Sequence, residues 1–518
     1  MAYKTDNIVI LGGGSAGWMS AATLIKAFPH KKITVVESSS IPKVGVGEST
    51  LTNINIWLDF LDVDRTSFMK YTNAAFKTSI GFTNFFKEKS DTFFVPFGDA
   101  DFIPGSFGHN NWFFKKALYP ETPNTDYFEF FFPSAHLVKD NKLVMWEHPD
   151  MPVYKPDRDV VYQFDAALFG AWLAEEYAIP KGVHRIIGTV KEVISDEYGV
   201  KELLLEDGTR VAGDLFIDCS GFRSLLLGQH LKEPFINTKD VLPNNKAWAS
   251  PIQYTDKEKE LQVFTNCTGL KNGWVWNTPL WSRIGSGYVY SDEFIDDETA
   301  LKEFKAHLDS EDMVVYNPHR SEEMDFRQIE IKNGYYERFW VKNVVAIGLS
   351  GGFLEPLEST GLYFIHEFLL LLVDALEREQ VTQWDIATWN KATRNNFEIQ
   401  LDFVALHFAM SLRDDSPYWK KLTMQDMKDS FVKRGIEKYY DRQFSGFQFN
   451  ALAAGMGYSP ITARVVKDVK WSYGIDRKFE ADIIIGMQHD KIEKWKLAIA
   501  GFPTHYQYLK EHIHNESE

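Results

Sequence analysis

An α/β fold, in which a G-x-G-x-x-G Rossmann-type module carries additional antiparallel sheet and a mostly helical cap, is predicted by three features of this 518-residue chain. Residues Ile8 to Thr23 read IVILGGGSAGWMSAAT, a short apolar run that breaks into glycines and then small residues, the pattern of strand, tight turn and helix. A second apolar strand, Ile33 to Val36, ends in Glu37, which stands 20 residues beyond Gly17. Buried-strand patterns return in DLFIDCSG, Asp214 to Gly221, and at Val344 to Leu349, and beyond about residue 380 the chain turns predominantly helical.

Taken in order, Gly12, Gly14 and Gly17 give the first turn its mechanism. The first glycine makes the turn, the second lets backbone approach a pyrophosphate, and the third lets helix and strand pack closely. Phosphate would rest on unpaired amides at a helix N-terminus, and Glu37 is placed to hold a ribose hydroxyl. The next loop, IPKVGVGEST from Ile41 to Thr50, has Gly45 and Gly47 suited to close approach over that ligand. Leu51 to about Trp112 reads as helical and then aromatic, with AAFKTSIGFTNFF around Lys77. Residues 113 to 155, with several prolines, predict loops and short strands over a site. An amphipathic helix is expected from Asp165 to Glu176, followed by alternating strands to Val211. Strand-like alternation returns from Ala247 to Tyr290, including GWVWNTP at Gly273 to Pro279 and GSGYVYS at Gly285 to Ser291. The stretch SGGFLEPLESTG, Ser350 to Gly361, then leads into a strongly apolar helix from Leu362 to Arg378.

Composition excludes several function classes. A net charge of −16 without a basic stripe argues against nucleic acid, whose binding relies on Lys and Arg. Cys219 and Cys267 are the only cysteines, far apart and without metal-ligand spacing, which fits a reducing compartment and no bound metal. The first strand begins within eight residues, and the longest apolar run, Phe368 to Val373, is too short for a bilayer, so a cytoplasmic protein without a membrane partner is expected. The 15% aromatic share suits either a pocket for a flat aromatic ligand or aromatic-rich packing. No second glycine fingerprint follows a strand downstream. If the cofactor is a flavin, its electrons must therefore come from another protein.

In their order along the chain, GGGSAG at Gly12 to Gly17, the lysine of AAFK, WVWNTP at Trp274 to Pro279 and LEPLESTG ending at Gly361 resemble the flavin-dependent halogenases of the tryptophan-halogenase family. The resemblance spans most of the chain and implies a FAD-binding, flavoprotein-monooxygenase-like module. It implies residues 1–400 as that module with inserted substrate-site segments, and residues 401–518 as a mostly helical part packed on the substrate site, together one compound unit. In that family reduced FAD and oxygen convert halide into hypohalous acid, which travels through an interior tunnel to a lysine and a glutamate beside an electron-rich aromatic substrate. The implied cofactors are FAD, supplied as FADH2 by a separate flavin reductase, and a halide ion (chloride, bromide or iodide). The implied partners are the aromatic small molecule and the reductase, with a homodimer as one possible assembly.

Residue by residue, the resemblance assigns Lys77 as the lysine that hydrogen-bonds hypohalous acid or forms a haloamine. Taken alone, a lysine flanked by Phe76 and Ile80 reads as a snorkelling surface residue. Glu358 matches the carboxylate that stabilises the arenium ion or takes its proton, although alone it reads as an acid complementing a helix dipole. Ser359 is assigned to orienting this catalytic pair. Thr360 and Gly361 match the halide-binding residues, and free amides opening an apolar helix suit an anion independently of the resemblance. Trp274 and Trp276 match the tryptophans that shield flavin from organic substrate, although i, i+2 spacing alone reads as one face of a core strand. The FAD positions implied are Gly13, Ala16, Ser38, Ile41, Val44, Val46, Ser49, Val190, Leu349 and Leu362, beside Gly12, Gly14, Gly17 and Glu37.

Three departures bear on substrate. Thr278 stands where W-x-W-x-I-P has isoleucine. Val95 stands where tryptophan-specific members carry a histidine, while Phe97 keeps the stacking ring. The stretch from Trp419 to Ala453 is shorter than in enzymes acting on free tryptophan, with Tyr439 and Tyr440 as remnants of the cluster that holds the amino acid. A more open site for an indole, phenol or larger aromatic is expected. The competing readings are a FAD-dependent aromatic monooxygenase, which has no use for Lys77 or the tryptophan pair, and a non-catalytic flavin carrier.

Overall fold

The sheet that carries the glycine turn has six strands, in the order Trp340–Val341, Val344–Ala346, Leu215–Asp218, Asn7–Leu11, Lys32–Glu37 and His184–Ile187. The structure is a computed structural model that describes residues 3–40, 47–378, 380–423, 447–459 and 477–515. Neighbouring strands are parallel except at the Trp340–Val341 edge. Parallel strands covered on both faces need near-continuous apolar runs, and Ile8, Val9, Ile10, Ile33, Val35 and Val36 are all buried. The Ser15–Ala27 helix starts directly after Gly14. Gly12 has φ +121°, and a Cβ there would lie 2.2 Å from the Cys219 carbonyl oxygen; at Gly17 it would lie 1.8 Å from the Gly12 carbonyl oxygen. Conformation thus demands the first glycine and packing the third. A Cβ at Gly14 would meet nothing within 4 Å.

The additional sheet has seven strands, in the order Arg327–Glu330, Lys246–Ile252, Ile284–Tyr290, Gly273–Pro279, Phe264–Gly269, Ser79–Thr83 and Phe93–Pro96. Only the Phe264–Gly269/Ser79–Thr83 pair is parallel. A smaller antiparallel sheet joins Gly47–Ser49, Val161–Asp165 and Ala75–Lys77, with Gln163 opposite both Ser49 and Ala75. It carries residues from three distant parts of the chain to one place.

Helices supply the rest. Thr360–Leu376 follows the LEPLEST turn, and Gln383–Ala409, closed at its start by a Thr382/Asp385 capping box, runs through position 400. One continuous buried cluster extends from Ile8 to Ile513. The expectation of loops and short strands over residues 113–155 is corrected here, because Asn110–Leu118, Asp126–Phe131 and Pro133–Lys139 are helices. Pro133 occupies a first turn, where its missing N–H costs nothing. Tyr127, Phe128, Phe130 and Phe131 are buried, so packing of the aromatic run decides the local structure.

Candidate active site

A cavity of about 300 Å³ opens at the C-terminal ends of the parallel strands, the position where such sheets take ligands. Gly12, Gly13, Gly14 and Ala16 form its floor, with Glu37, Ser38, Val190, Leu349 and Leu362 in its walls. Cys219, Ser220 and Gly221, where the Leu215–Asp218 strand returns, also line it. Glu37 is 5% exposed and held by Arg185, whose Nε donates to Oε1 at 2.5 Å and whose NH1 reaches Glu175 at 2.6 Å. At Gly13 a Cβ would lie 1.6 Å from Glu37 Oε2. Backbone bared by glycine, a helix N-terminus and apolar walls fit a bound dinucleotide. Ile41, Val44 and Val46 fall outside the described residues, as do Tyr439 and Tyr440.

Pro356 and Gly361 face this cavity, while Ser359, between them in sequence, faces Lys77 on the other side of the turn. Ser359 caps the Thr360–Leu376 helix in the left-handed region, φ +59°. Such a conformation is costly for a residue with a side chain. The first helical turn leaves the amides of Thr360 and Gly361 without intrahelical acceptors. A Cβ on Gly361 would lie 3.6 Å from Glu48 Oε2. Burial pushes the Glu48 carboxyl up to about 7, so below neutrality it stands beside these amides as a neutral acid.

Lys77, at the end of the Ala75–Lys77 strand, is 0% exposed. Its Nζ donates to Ser359 Oγ at 2.8 Å and to the Thr50 carbonyl at 3.1 Å, and stands 5.0 Å above the Phe97 ring. Ser359 Oγ donates to Ser49 Oγ at 3.2 Å, Ser49 and Thr265 hydroxyls meet at 2.7 Å, and Thr265 Oγ1 donates to Gln163 Oε1 at 2.8 Å. Each hydroxyl has one proton, and the amide oxygen at the end only accepts, so the chain runs one way and Ser359 offers Lys77 a lone pair. Ser49 therefore sits in this network and is not in the cavity wall. Burial draws the Lys77 ammonium down to about 7, against opposing pulls from Glu358 and Cys267. Near neutrality the amine is available both as a proton-bearing donor and as a neutral nucleophile.

Glu358, 2% exposed, lies close enough to act electrostatically on Lys77. The resemblance brings together residues separated by 281 positions, and the fold juxtaposes them. Trp274 and Trp276 share one face of the Gly273–Pro279 strand, with ring centroids 6.3 Å apart. Trp274 Nε1 donates to Glu355 Oε2 at 2.8 Å, and Asn244 holds the same oxygen at 2.7 Å. Opposite Trp276 stands Gly287, where a Cβ would lie 2.1 Å from the indole. Sequence reasoning missed Gln163, Thr265, Glu355, His407 and Arg185. Only Glu355 carried a signal, as the other acid of the LEPLESTG motif.

The family model described as tryptophan halogenase matches residues 7–469. A tryptophan 6-halogenase of Streptomyces albogriseolus, ThaL, is 31% identical over 458 residues, 85% of this chain and 82% of that protein. An apo structure of VirX1 superposes with a TM-score of 0.92 at 34% identity, covering 99% of this chain and 100% of the other. A flavin-dependent halogenase from Xanthomonas campestris gives 0.85 at 26% identity, with 98% of each chain covered. No helix among the described residues is long and apolar enough to cross a membrane.

Proposed function

The chain belongs to the tryptophan halogenase family, and from that membership we propose how its own residues carry flavin-dependent halogenation and on what kind of substrate. The observation that carries the reading is Lys77, fully buried, its amine held by Ser359 on the far side of the turn that borders the cofactor cavity. FAD, when bound, supplies with oxygen the oxidising power that turns halide into hypohalous acid. Gly12, Gly13, Gly14, Ala16, Glu37, Ser38, Val190, Leu349 and Leu362 hold the cofactor, with Gly17 allowing the turn to pack, and the resemblance adds Ile41, Val44 and Val46 to this set. The amides of Thr360 and Gly361 hold halide. Trp274 and Trp276 keep organic substrate off the flavin, with Glu355 fixing the first of them.

Lys77 receives the hypohalous acid through a hydrogen bond or as a haloamine, and the chain from Ser359 through Ser49 and Thr265 to Gln163 fixes the direction of the amine. Phe97 stacks on the aromatic ring to be halogenated. Glu358 takes the proton that the ring carbon loses. FADH2 comes from a separate flavin reductase, and the enzyme works in the cytoplasm as one compound unit, with a homodimer as one possible assembly.

The substrate we propose is an indole, phenol or larger aromatic, not free tryptophan. Val95, wholly buried, offers no polar contact where the resemblance places a histidine. Given FAD, a flavin reductase, NADH, oxygen and bromide, the protein is expected to brominate indole and to leave free tryptophan largely unreacted, as read by mass spectrometry. Equal bromination of tryptophan would overturn the substrate reading. Hydroxylated product, or peroxide with no halogen incorporated from bromide, chloride or iodide, would overturn the assigned roles and favour a monooxygenase.

A further inference from the structure

Glu358 Oε1 and His407 Nε2 are 2.6 Å apart, both groups are buried, and neither atom makes a hydrogen bond among the described residues. His407 lies near the end of the Gln383–Ala409 helix, its ring packed against Phe82 at 4.7 Å and Phe403 at 5.0 Å. Its Nδ1 is 2.9 Å from the Phe403 carbonyl oxygen. A carbonyl only accepts, so Nδ1 carries a hydrogen. Nε2 is then a bare lone pair unless a proton sits on it, and a lone pair 2.6 Å from a carboxylate oxygen would be repelled. A proton shared between Oε1 and Nε2 would remove that repulsion.

We infer that His407 is the proton partner of Glu358 in halogenation, a positioning residue that acts through that carboxyl group; the inference rests on the role proposed above for Glu358. As halogen passes from hypohalous acid to the ring, the oxygen–halogen bond breaks with its electron pair on oxygen, and the carbon–halogen bond forms from ring π electrons. The departing hydroxide takes the shared proton and leaves as water. The ring carbon, now bearing both hydrogen and halogen, gives its proton to Glu358, and the C–H electron pair restores aromaticity. The pair ends with the one proton it began with, so a site closed to solvent needs no proton from outside. Among the described residues Lys77 and Cys267 also act electrostatically on Glu358; Phe82 presents its ring to His407, and Phe403 its ring and its carbonyl oxygen.

Two variants test this. His407→Gln keeps a side-chain amide toward Glu358, and His407→Phe suits the surrounding rings. Both are assayed for bromination of indole and of ring-deuterated indole, alongside FAD binding. The expected result is unchanged FAD binding, a KM for indole near that of the wild type, and kcat lowered on the order of 10- to 100-fold. A deuterium isotope effect on product formation, absent in the wild type, is expected to emerge because loss of the ring proton has become slow. Glu358→Gln should show the same loss, and Glu358→Gln/His407→Gln no more than either alone, since the two act as a unit. Wild-type kcat without an isotope effect in both His407 variants, beside a loss in Glu358→Gln, overturns the inference alone. Full activity in Glu358→Gln overturns the role of Glu358 and the inference with it. A fall in kcat that tracks lost FAD binding, without an isotope effect, marks His407 as a packing residue and also overturns the inference.

Discussion

Lys77→Ala is expected to lower halogenated product by at least about 10³-fold, toward the upper end of what one positioned proton-transfer or nucleophilic group contributes, while FAD binding and oxygen consumption stay at wild-type levels. The separation follows from geometry. Lys77 does not line the cofactor cavity; it touches Ser359 and Thr50 on the far side of the turn, so removing it leaves the cavity wall intact. Oxygen uptake and halide oxidation would continue, with hypohalous acid released instead of delivered. Paired measurement of oxygen consumption and brominated indole checks this, and retained product would remove Lys77 from the mechanism.

The same burial carries a stability signature. In the unfolded chain Lys77 holds its proton up to the ordinary 10.5, whereas in the folded protein burial lets the proton go at about 7. Between those values the unfolded state binds more protons, so native stability rises with pH across that window, and below it the folded protein bears the whole penalty. Lys77→Met keeps the volume without the charge. It is expected to unfold at higher temperature than wild type at pH 6, by on the order of 1–3 kcal/mol once the orphaned Ser359 and Thr50 acceptors are discounted. The advantage should shrink as pH approaches 10. Thermal melts at several pH values read the trend, and an advantage that grew with pH would contradict the desolvated amine.

Legibility in the sequence followed distance along the chain. The glycine turn is local: its three roles, its helix and the strand ending in Glu37 all lie within the first 37 residues and were readable from spacing. Lys77 and Glu358 had no local signature, and physics alone favoured bland readings for both, a snorkelling lysine and a dipole-complementing acid. Only the resemblance paired them. The polar chain behind Lys77 was illegible because no local pattern marks its members, Gln163 within VYQFD at Val161–Asp165 and Thr265 within FTNCTG at Phe264–Gly269. Their meaning exists only in the register of the small sheet that sets Gln163 opposite Ser49. His407 would pass for a satisfied core histidine until the turn holding Glu358 is packed against it. Proline misled at Pro133, where it opens a helix.

Substitutions at the glycine turn separate folding from cofactor binding. Gly14→Ala is expected to melt like wild type without FAD yet bind FAD at least tenfold more weakly, about 1.4 kcal/mol or more. Gly14 has φ −81°, which any L-residue adopts, and its Cβ would meet no protein atom within 4 Å, so the methyl group enters only open space, where the proposed cofactor would place its phosphates. Gly17→Ala and Gly12→Ala should instead lose stability even without cofactor. At Gly17 the new methyl meets the Gly12 carbonyl oxygen at 1.8 Å, and at Gly12 it meets the Cys219 carbonyl oxygen at 2.2 Å in a backbone conformation that disfavours side chains. Neither obstacle yields easily, because Cys219 N–H donates to the Leu11 carbonyl and Gly12 N–H to the Val36 carbonyl, tying both segments into the parallel sheet. Overpacking of this kind costs on the order of 1–3 kcal/mol, which a melt without FAD reads directly. Flavin fluorescence titration supplies the other half. Wild-type FAD affinity in Gly14→Ala would mean that the phosphates do not approach this helix N-terminus, and the cofactor's position in the cavity would have to be redrawn from Glu37 outward.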